Sequence, residues 1–268
     1  MVMMKDPNES IFTRDSLDAA MTTNCTYYHG MSARERFGVE TDVLIRALEA
    51  ELTGARRVLD YGLGVGRMTR AILERHPHVK VLGVDNSESM LRHARDYIPD
   101  EHFEEGRLEL LPAGRLHEIE TGSIDLVLTV YVLQHVDGES LPGLIGQFRR
   151  LLHGGGKLYV LNAKTRAVPR KEHFDRYKRF RKWLGILERH SARRQIQRLL
   201  TKLDNKTIYH DDGLDVSVEL EKRFEMLREA PLDGHPHIRR LMKNHFSRFY
   251  GIPGDSSVEE RDSSPGAG

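Results

Sequence analysis

The chain has 268 residues, 39% hydrophobic and 30% charged, with a formal net charge of only +1. That length suits one large domain or a core with an elaboration, and the balanced charge excludes a global field aimed at nucleic acid or a membrane. The lone cysteine, Cys25, excludes an intramolecular disulfide framework and any cysteine-built zinc site.

The N-terminus MVMMKDPNES puts acidic and polar residues where a signal peptide needs an unbroken apolar run. No window reaches bilayer-spanning length, so a cytoplasmic protein with no membrane partner is expected. Residues 1–38 are mixed, with an aromatic and histidine cluster in CTYYHGM. Residues 39–162 alternate helical and strand patterns. VETDVLIRALEAEL spaces Val43, Leu44, Leu48 and Leu52 at helical intervals, and ARRVLDYG is a short apolar strand bounded by glycine. A helix over 66–75, the strand VKVLGVD, and a helix from near Ser87 with Met90, Leu91 and Ala94 on one face follow. Next come RLELL, the strand IDLVLTVYV, a helix from Leu141 to Leu152 ending in HGGG, and the strand KLYVLN. The glycines of HGGG predict a left-handed stop. Short strands alternating with helices predict an α/β fold, a Rossmann-like parallel sheet with helices on both faces.

Residues 163–250 lose that alternation and predict a basic, mainly helical elaboration. Between 164 and 202 there are 14 Lys and Arg against Glu172, Asp175 and Glu188. Phe174, Tyr177, Phe180, Leu184 and Leu187 recur there at helical steps. This stretch reads as a packed stripe with a solvated basic face, a lid or pocket for an anionic substrate, or a grip on nucleic acid. LDVSVEL is the one strand-like run late in the chain, and 251–268, rich in Gly, Ser, Pro and acid, predicts a disordered tail. His210, Asp211, Asp212, His235 and His237 match no defined metal spacing, so no metal is expected.

VLDYGLGVGRMTRAI carries three glycines at alternate positions, Gly62, Gly64 and Gly66. Such a loop turns sharply and approaches a ligand with no Cβ in the way. A dinucleotide fingerprint fails, because its third glycine falls on Arg67, and no Walker-type lysine follows. Asp60 precedes the loop. Asp85 closes the next strand, where a carboxylate can accept from both ribose hydroxyls or cap the following helix with Glu88 completing a capping box.

VLDYGLGVGR, VLGVDNSESML, SIDLVLTVYVLQHV and LLHGGGKLYVLN resemble, in order and spacing, the class I S-adenosylmethionine-dependent methyltransferases, closest to the small-molecule branch. The resemblance implies that Asp60 and the Gly62, Gly64 and Gly66 backbone hold the methionine end of S-adenosyl-L-methionine. It implies that Asp85 takes the ribose hydroxyls, and that Asn86 and Met90 border the adenine. Ala113, with Pro112, stands where the family often has an acid or amide for the adenine amino group, which leaves that contact to the backbone. Arg67 and Tyr131 are counted with the cofactor contacts. In similar enzymes the Tyr27–Tyr28–His29 segment folds over the cofactor as a lid. Residues 1–38 are then the lid segment, 39–162 the cofactor-binding core and 163–250 the substrate elaboration. The family core usually finishes with a β-hairpin after the fifth strand. Here that hairpin is either disguised or replaced by helices.

Methyl transfer from a sulfonium is an in-line displacement. Orientation supplies about 7–11 kcal/mol of such a barrier, and a general base roughly 3–5 kcal/mol, so positioning dominates. His135 is either the base or a residue that orders its loop. His29 is another candidate proton acceptor and Tyr28 joins it as a catalytic candidate, while Tyr27 would face the cofactor. Asn162, at a strand end, contributes to the pocket or caps the next segment. The expected enzyme moves a methyl group to an oxygen or nitrogen of a small, possibly anionic, acceptor. The alternative is a nucleic-acid methyltransferase gripping through 164–202, and the elaboration also leaves a homodimer open.

Overall fold

The computed structural model describes residues 33–164, 167–169, 209–211, 213–232 and 234–253, with backbone alone at 33–34, 167–169 and 209–211. It opens with helix α1 (Ala33–Gly54), whose Val43, Leu44, Leu48 and Leu52 are all buried. The first half then alternates β1 (Arg57–Tyr61), α2 (Arg67–Arg75), β2 (Lys80–Asp85), α3 (Glu88–Tyr97), the short α4 (Glu101–Glu104) and β3 (Leu108–Pro112). A 3₁₀ turn (Ala113–Glu118), β4 (Ile124–Val130), α5 (Leu141–Leu151) and β5 (Leu152–Ala163) follow. Strands β6 (Ala167–Pro169) and β7 (Tyr209–Asp211) pair with each other, and α6 (Val216–Glu221), β8 (Glu225–Glu229), α7 (Pro236–Leu241) and β9 (His245–Gly251) close the described chain.

The main sheet runs β3-β2-β1-β4-β5-β9-β8. Its first five strands are parallel, as expected, and β9 and β8 add to the edge antiparallel. Side chains alternate between two cores because the strand period is two. Val58, Tyr159 and Leu161 face α1 and α2, while Leu59, Leu158 and Val160 face α5 and α6.

Three expectations about the second half change. The HGGG run does not stop α5 with a left-handed residue. Leu152 is already extended (φ −70, ψ 135), and Gly154, Gly155 and Gly156 lie inside β5 with no positive φ. A Cβ on Gly156 would come within 3.0 Å of the Ile124 carbonyl oxygen, beside the slip in the β4–β5 register. The glycine serves close strand approach. LDVSVEL is α6, not a strand. Asp215 caps it by accepting from the Ser217 amide at 2.8 Å, and Val216 and Leu220 are buried while Val218 is 51% exposed. The apolar spacing was that of one helical turn, with an exposed valine imitating a period of two. The family hairpin is present but disguised: β8 and β9 complete the sheet, so the part after 163 is not purely helical. All five β8 side chains are exposed, and the strand therefore carried no alternation to read.

Candidate cofactor and active site

The strand order reverses between β1 and β4, the place where open α/β sheets bind ligands beyond the carboxyl ends of the strands. Here the chain leaves Tyr61 and passes through Gly62 (φ 74), Gly64 (φ 58) and Gly66 (φ 82) before α2. A Cβ on Gly62 would stand 2.4 Å from a Val132 methyl, and one on Gly66 2.6 Å from Ile98, whereas at Gly64 it would meet nothing within 4 Å. Two of the glycines let the loop pack down. The third borders open space.

Asp85, half-buried at the tip of β2, ties this loop to its own strand. One carboxylate oxygen accepts from the Gly64 amide and the other from the Ser87 amide, both at 2.9 Å. The expectation that Asp85 caps α3 does not hold. Ser87 is the cap, accepting from the Met90 amide at 3.4 Å, and Glu88 falls on the first helical position, too early for a capping box. Asn86 is exposed beside Asp85, Met90 is buried on α3, and Ala113 opens the 3₁₀ turn at the tip of β3.

Asp60 is buried under the loop, where the Thr69 hydroxyl donates to it at 2.7 Å. Burial pushes its pKa up from 3.8 to about 6, with Thr69 and the Arg67 charge pulling the other way. Arg67 donates to the Thr41 hydroxyl at 2.9 Å and lies 3.7 Å from Glu40, and Glu40, 1% exposed, accepts from His237 Nε2 at 2.8 Å. Glu40, a carboxylate in mid-helix that links the start of α2 to α7, carries no signal in the local residue pattern.

Tyr131, just past β4, has φ 62, the one positive φ outside glycine among the described residues. Its amide donates to the Leu161 carbonyl at 2.8 Å, its ring meets His245 edge-on at 5.5 Å, and its buried hydroxyl has no partner among the described residues. Burial drives its pKa upward. His135 is exposed on the 3₁₀ turn Leu133–His135, with Nε2 3.2 Å from the Gln134 amide nitrogen. Asn162, fully buried, pins that turn by accepting from the Gln134 amide at 3.0 Å, and Gln134 in return accepts from the Ala163 amide at 2.9 Å. Asn162 thus organises the chain after β4, and Gln134 is a partner that sequence reading missed.

Tyr27, Tyr28 and His29, with 165–166, 170–202 and the tail from 254, lie outside the described residues. Among the described residues no three His, Cys, Asp or Glu side chains converge as a metal-ligand set, and no helix is long and apolar enough to cross a membrane. His235 caps α7 by accepting from the His237 amide at 3.1 Å.

A glycine bend between two carboxylates stands at the switch point of a 3-2-1-4-5 sheet closed by an antiparallel hairpin, the Rossmann-like arrangement expected from the sequence. Residues 58–156 match the family model described as a methyltransferase domain. The resemblance to the class I S-adenosylmethionine-dependent methyltransferases, expected from the four motifs, is borne out over these residues. The chain is 33% identical over 109 residues to trans-aconitate 2-methyltransferase of Afipia carboxidovorans, covering 40% of this chain and 38% of that one. It is 35% identical over 118 residues to carboxy-S-adenosyl-L-methionine synthase of Stutzerimonas stutzeri, covering 41% and 46%. It spans less than half the length of these curated relatives. A crystallised Pyrococcus horikoshii protein shares the fold with a TM-score of 0.53 at 17% identity, over 85% of this chain and 99% of that one.

Proposed function

We propose that this chain transfers the methyl group of S-adenosyl-L-methionine to an oxygen or nitrogen of a small anionic molecule, releasing S-adenosylhomocysteine. The observation that carries this reading is the side-chain-free bend at Gly62–Gly66 facing open space at Gly64, with Asp60 and Asp85 on either side. The residues suit the cofactor chemically. Asp60, buried with the Thr69 hydroxyl and amide as donors and no cation bonded to it among the described residues, matches an ammonium on the amino-acid tail. Asp85 sits where ribose hydroxyls would meet its carboxylate, with Asn86, Met90 and Ala113 around the adenine. An anionic acceptor draws support from relatives named for trans-aconitate, an organic anion.

When bound, the cofactor supplies an electrophilic methyl on a sulfonium. The chain supplies alignment: Gln134 and Asn162 fix the turn after β4, and Tyr131 shapes its tip. His135, exposed on that turn, is our candidate for the group that takes a proton from the acceptor and passes it to water. Tyr28 and His29 remain candidates for the same step, and Tyr27 for a contact with the cofactor.

Calorimetry with S-adenosylmethionine and S-adenosylhomocysteine, followed by transfer of an isotope-labelled methyl to a panel of organic anions, tests the reading. Saturable binding of both nucleosides, abolished by Asp85→Ala, is expected. No association, or an Asp85→Ala variant that binds as the parent does, would sink it. His135→Ala should lower turnover by about a hundredfold with cofactor affinity intact. A loss confined to cofactor affinity would assign His135 to loop order alone.

A further inference from the structure

A surface concavity of about 520 Å³ is bounded by Pro236, Arg239, Arg240, Lys243 and Asn244. Among the described residues no acidic side chain lines it. Arg239 and Lys243 are exposed, and neither forms an ion pair with any described residue. Lys164 reaches the same rim: its amide donates to the Asn244 carbonyl at 2.9 Å and its ammonium to the Lys243 carbonyl at 3.3 Å.

Cations in the last turn of a helix gain from its dipole, which explains one or two of these charges on α7. It does not explain why the Lys243 ammonium joins them at the same concavity, with Lys164 held alongside through the Lys243 carbonyl, where like charges repel. An oxyanion in the cavity would relieve that repulsion, and the guanidinium fork of arginine suits carboxylate and phosphate geometry.

The place is informative as well. The chain passes from Asn244 into β9 at His245, which pairs with Ala163 at the carboxyl end of β5 and meets the Tyr131 ring at the tip of β4. Burial first, and the Lys164 charge further down, hold His245 below its ordinary pKa. The basic rim and the tip of β4 are therefore neighbours.

We propose that this cavity is an oxyanion subsite, holding the carboxylate or phosphate end of an acceptor whose methylated end lies at the tip of β4. The proposal rests on the methyl-transfer reading and deepens it: the acceptor is two-ended, and its charge is read by α7, outside the matched methyltransferase domain.

The test titrates citrate and, separately, inorganic phosphate into the full chain saturated with S-adenosylhomocysteine, using the parent and an Arg239→Gln/Lys243→Gln variant. Both side chains are exposed, so the variant should keep its fold and its affinity for the nucleoside. The expected result is saturable binding of at least one anion, weakened by added salt and by about tenfold or more in the variant. Preference for citrate or phosphate then identifies the end group. Failure of the parent to bind either anion, or equal binding by the variant, overturns the subsite. Should the parent not bind the nucleoside at all, the methyl-transfer reading falls, and the same titrations without it still decide whether the cavity holds an oxyanion.

Discussion

Along β3, β2, β1 and β4 the site is made of backbone, whereas along β5, β9 and β8 the structure is tied by long side chains. In the first region Gly62 and Leu63 both donate to the Val84 carbonyl, at 2.7 and 3.1 Å, and Asp85 accepts the next free amide. In the second, Glu51 on α1 reaches Lys157 at 3.3 Å and Arg228 at 2.9 Å, and both cations are more than two-fifths exposed. Backbone contacts at positive φ tolerate almost no change. Half-solvated ion pairs rearrange, and each is worth about 0–1 kcal/mol. The comparison predicts a steep fall in mutational effect from one region to the other.

Gly62→Ala should show the largest loss. It adds left-handed strain of about 1–2 kcal/mol and forces a Cβ to 2.4 Å from Val132, an overpacking cost of about 1–3 kcal/mol. A loss of about 3 kcal/mol, read from the urea midpoint at unchanged slope, is expected. Gly64→Ala meets open space and should cost only the strain, about 1 kcal/mol, while impairing cofactor binding. Equal losses at the two positions would break the distinction between glycines that pack and the glycine that faces the ligand.

Asp60 sharpens the same region through pH. Its folded pKa of about 6 lies above the ordinary 3.8, so the neutral form is favoured in the fold. Stability linked to Asp60 is fully present below the unfolded pKa and declines as pH rises from about 4 to 6. At about 1.4 kcal/mol for each pH unit, the ionised group costs the fold roughly 3 kcal/mol at neutral pH. Asp60→Asn should therefore gain about 2 kcal/mol at pH 7.5 and nothing near pH 3, as read by denaturation at the two pH values. If Asp60 meets an ammonium, cofactor affinity should fall as pH drops below about 6, up to tenfold per unit, and the Asn variant should lose that dependence. A flat profile in the parent would remove Asp60 from the binding site.

Legibility in the sequence followed the same division. The glycine bend and the two carboxylates were readable because each stands where backbone geometry demands a residue type, and buried parallel strands announce themselves as apolar runs. The hairpin was not readable. The β8 run EMLRE is wholly exposed at a sheet edge and shows no alternation, while α6 imitated a strand through exposed Val218. Glu40, Gln134 and Asn162 act through partners far away in sequence, and no local pattern encodes such pairs. The unusual φ of Tyr131 is likewise set by its surroundings and not by its type.

Asn162 stands between the two regions, on β5 but bonded to the turn after β4. Asn162→Ala would remove the acceptor of the half-buried Gln134 backbone amide and cost about 1 kcal/mol. It should also lower turnover more than cofactor affinity, because the turn it holds carries His135. Asn162→Asp keeps the acceptor oxygen but buries a charge and loses the Nδ2 donor to the Ala163 carbonyl, so it should not restore turnover.

The smallest effect belongs to the antiparallel edge. Arg228 is paired with Glu51 at 2.9 Å and lies 4.0 Å over the Phe249 ring, yet its side chain is 44% exposed. Removing it leaves Glu51 with Lys157, so its carboxylate keeps a cation. Solvent screening and the surviving partner limit Arg228→Ala to about 1 kcal/mol. Most of that should come from the lost stacking, so the difference between parent and variant should change little between low and high salt. Cofactor affinity should not move, since β8 is four strands from the glycine bend. A loss approaching that of Gly62→Ala would mean that the edge, too, depends on fixed geometry, and that the hairpin shapes the site and does more than close the sheet.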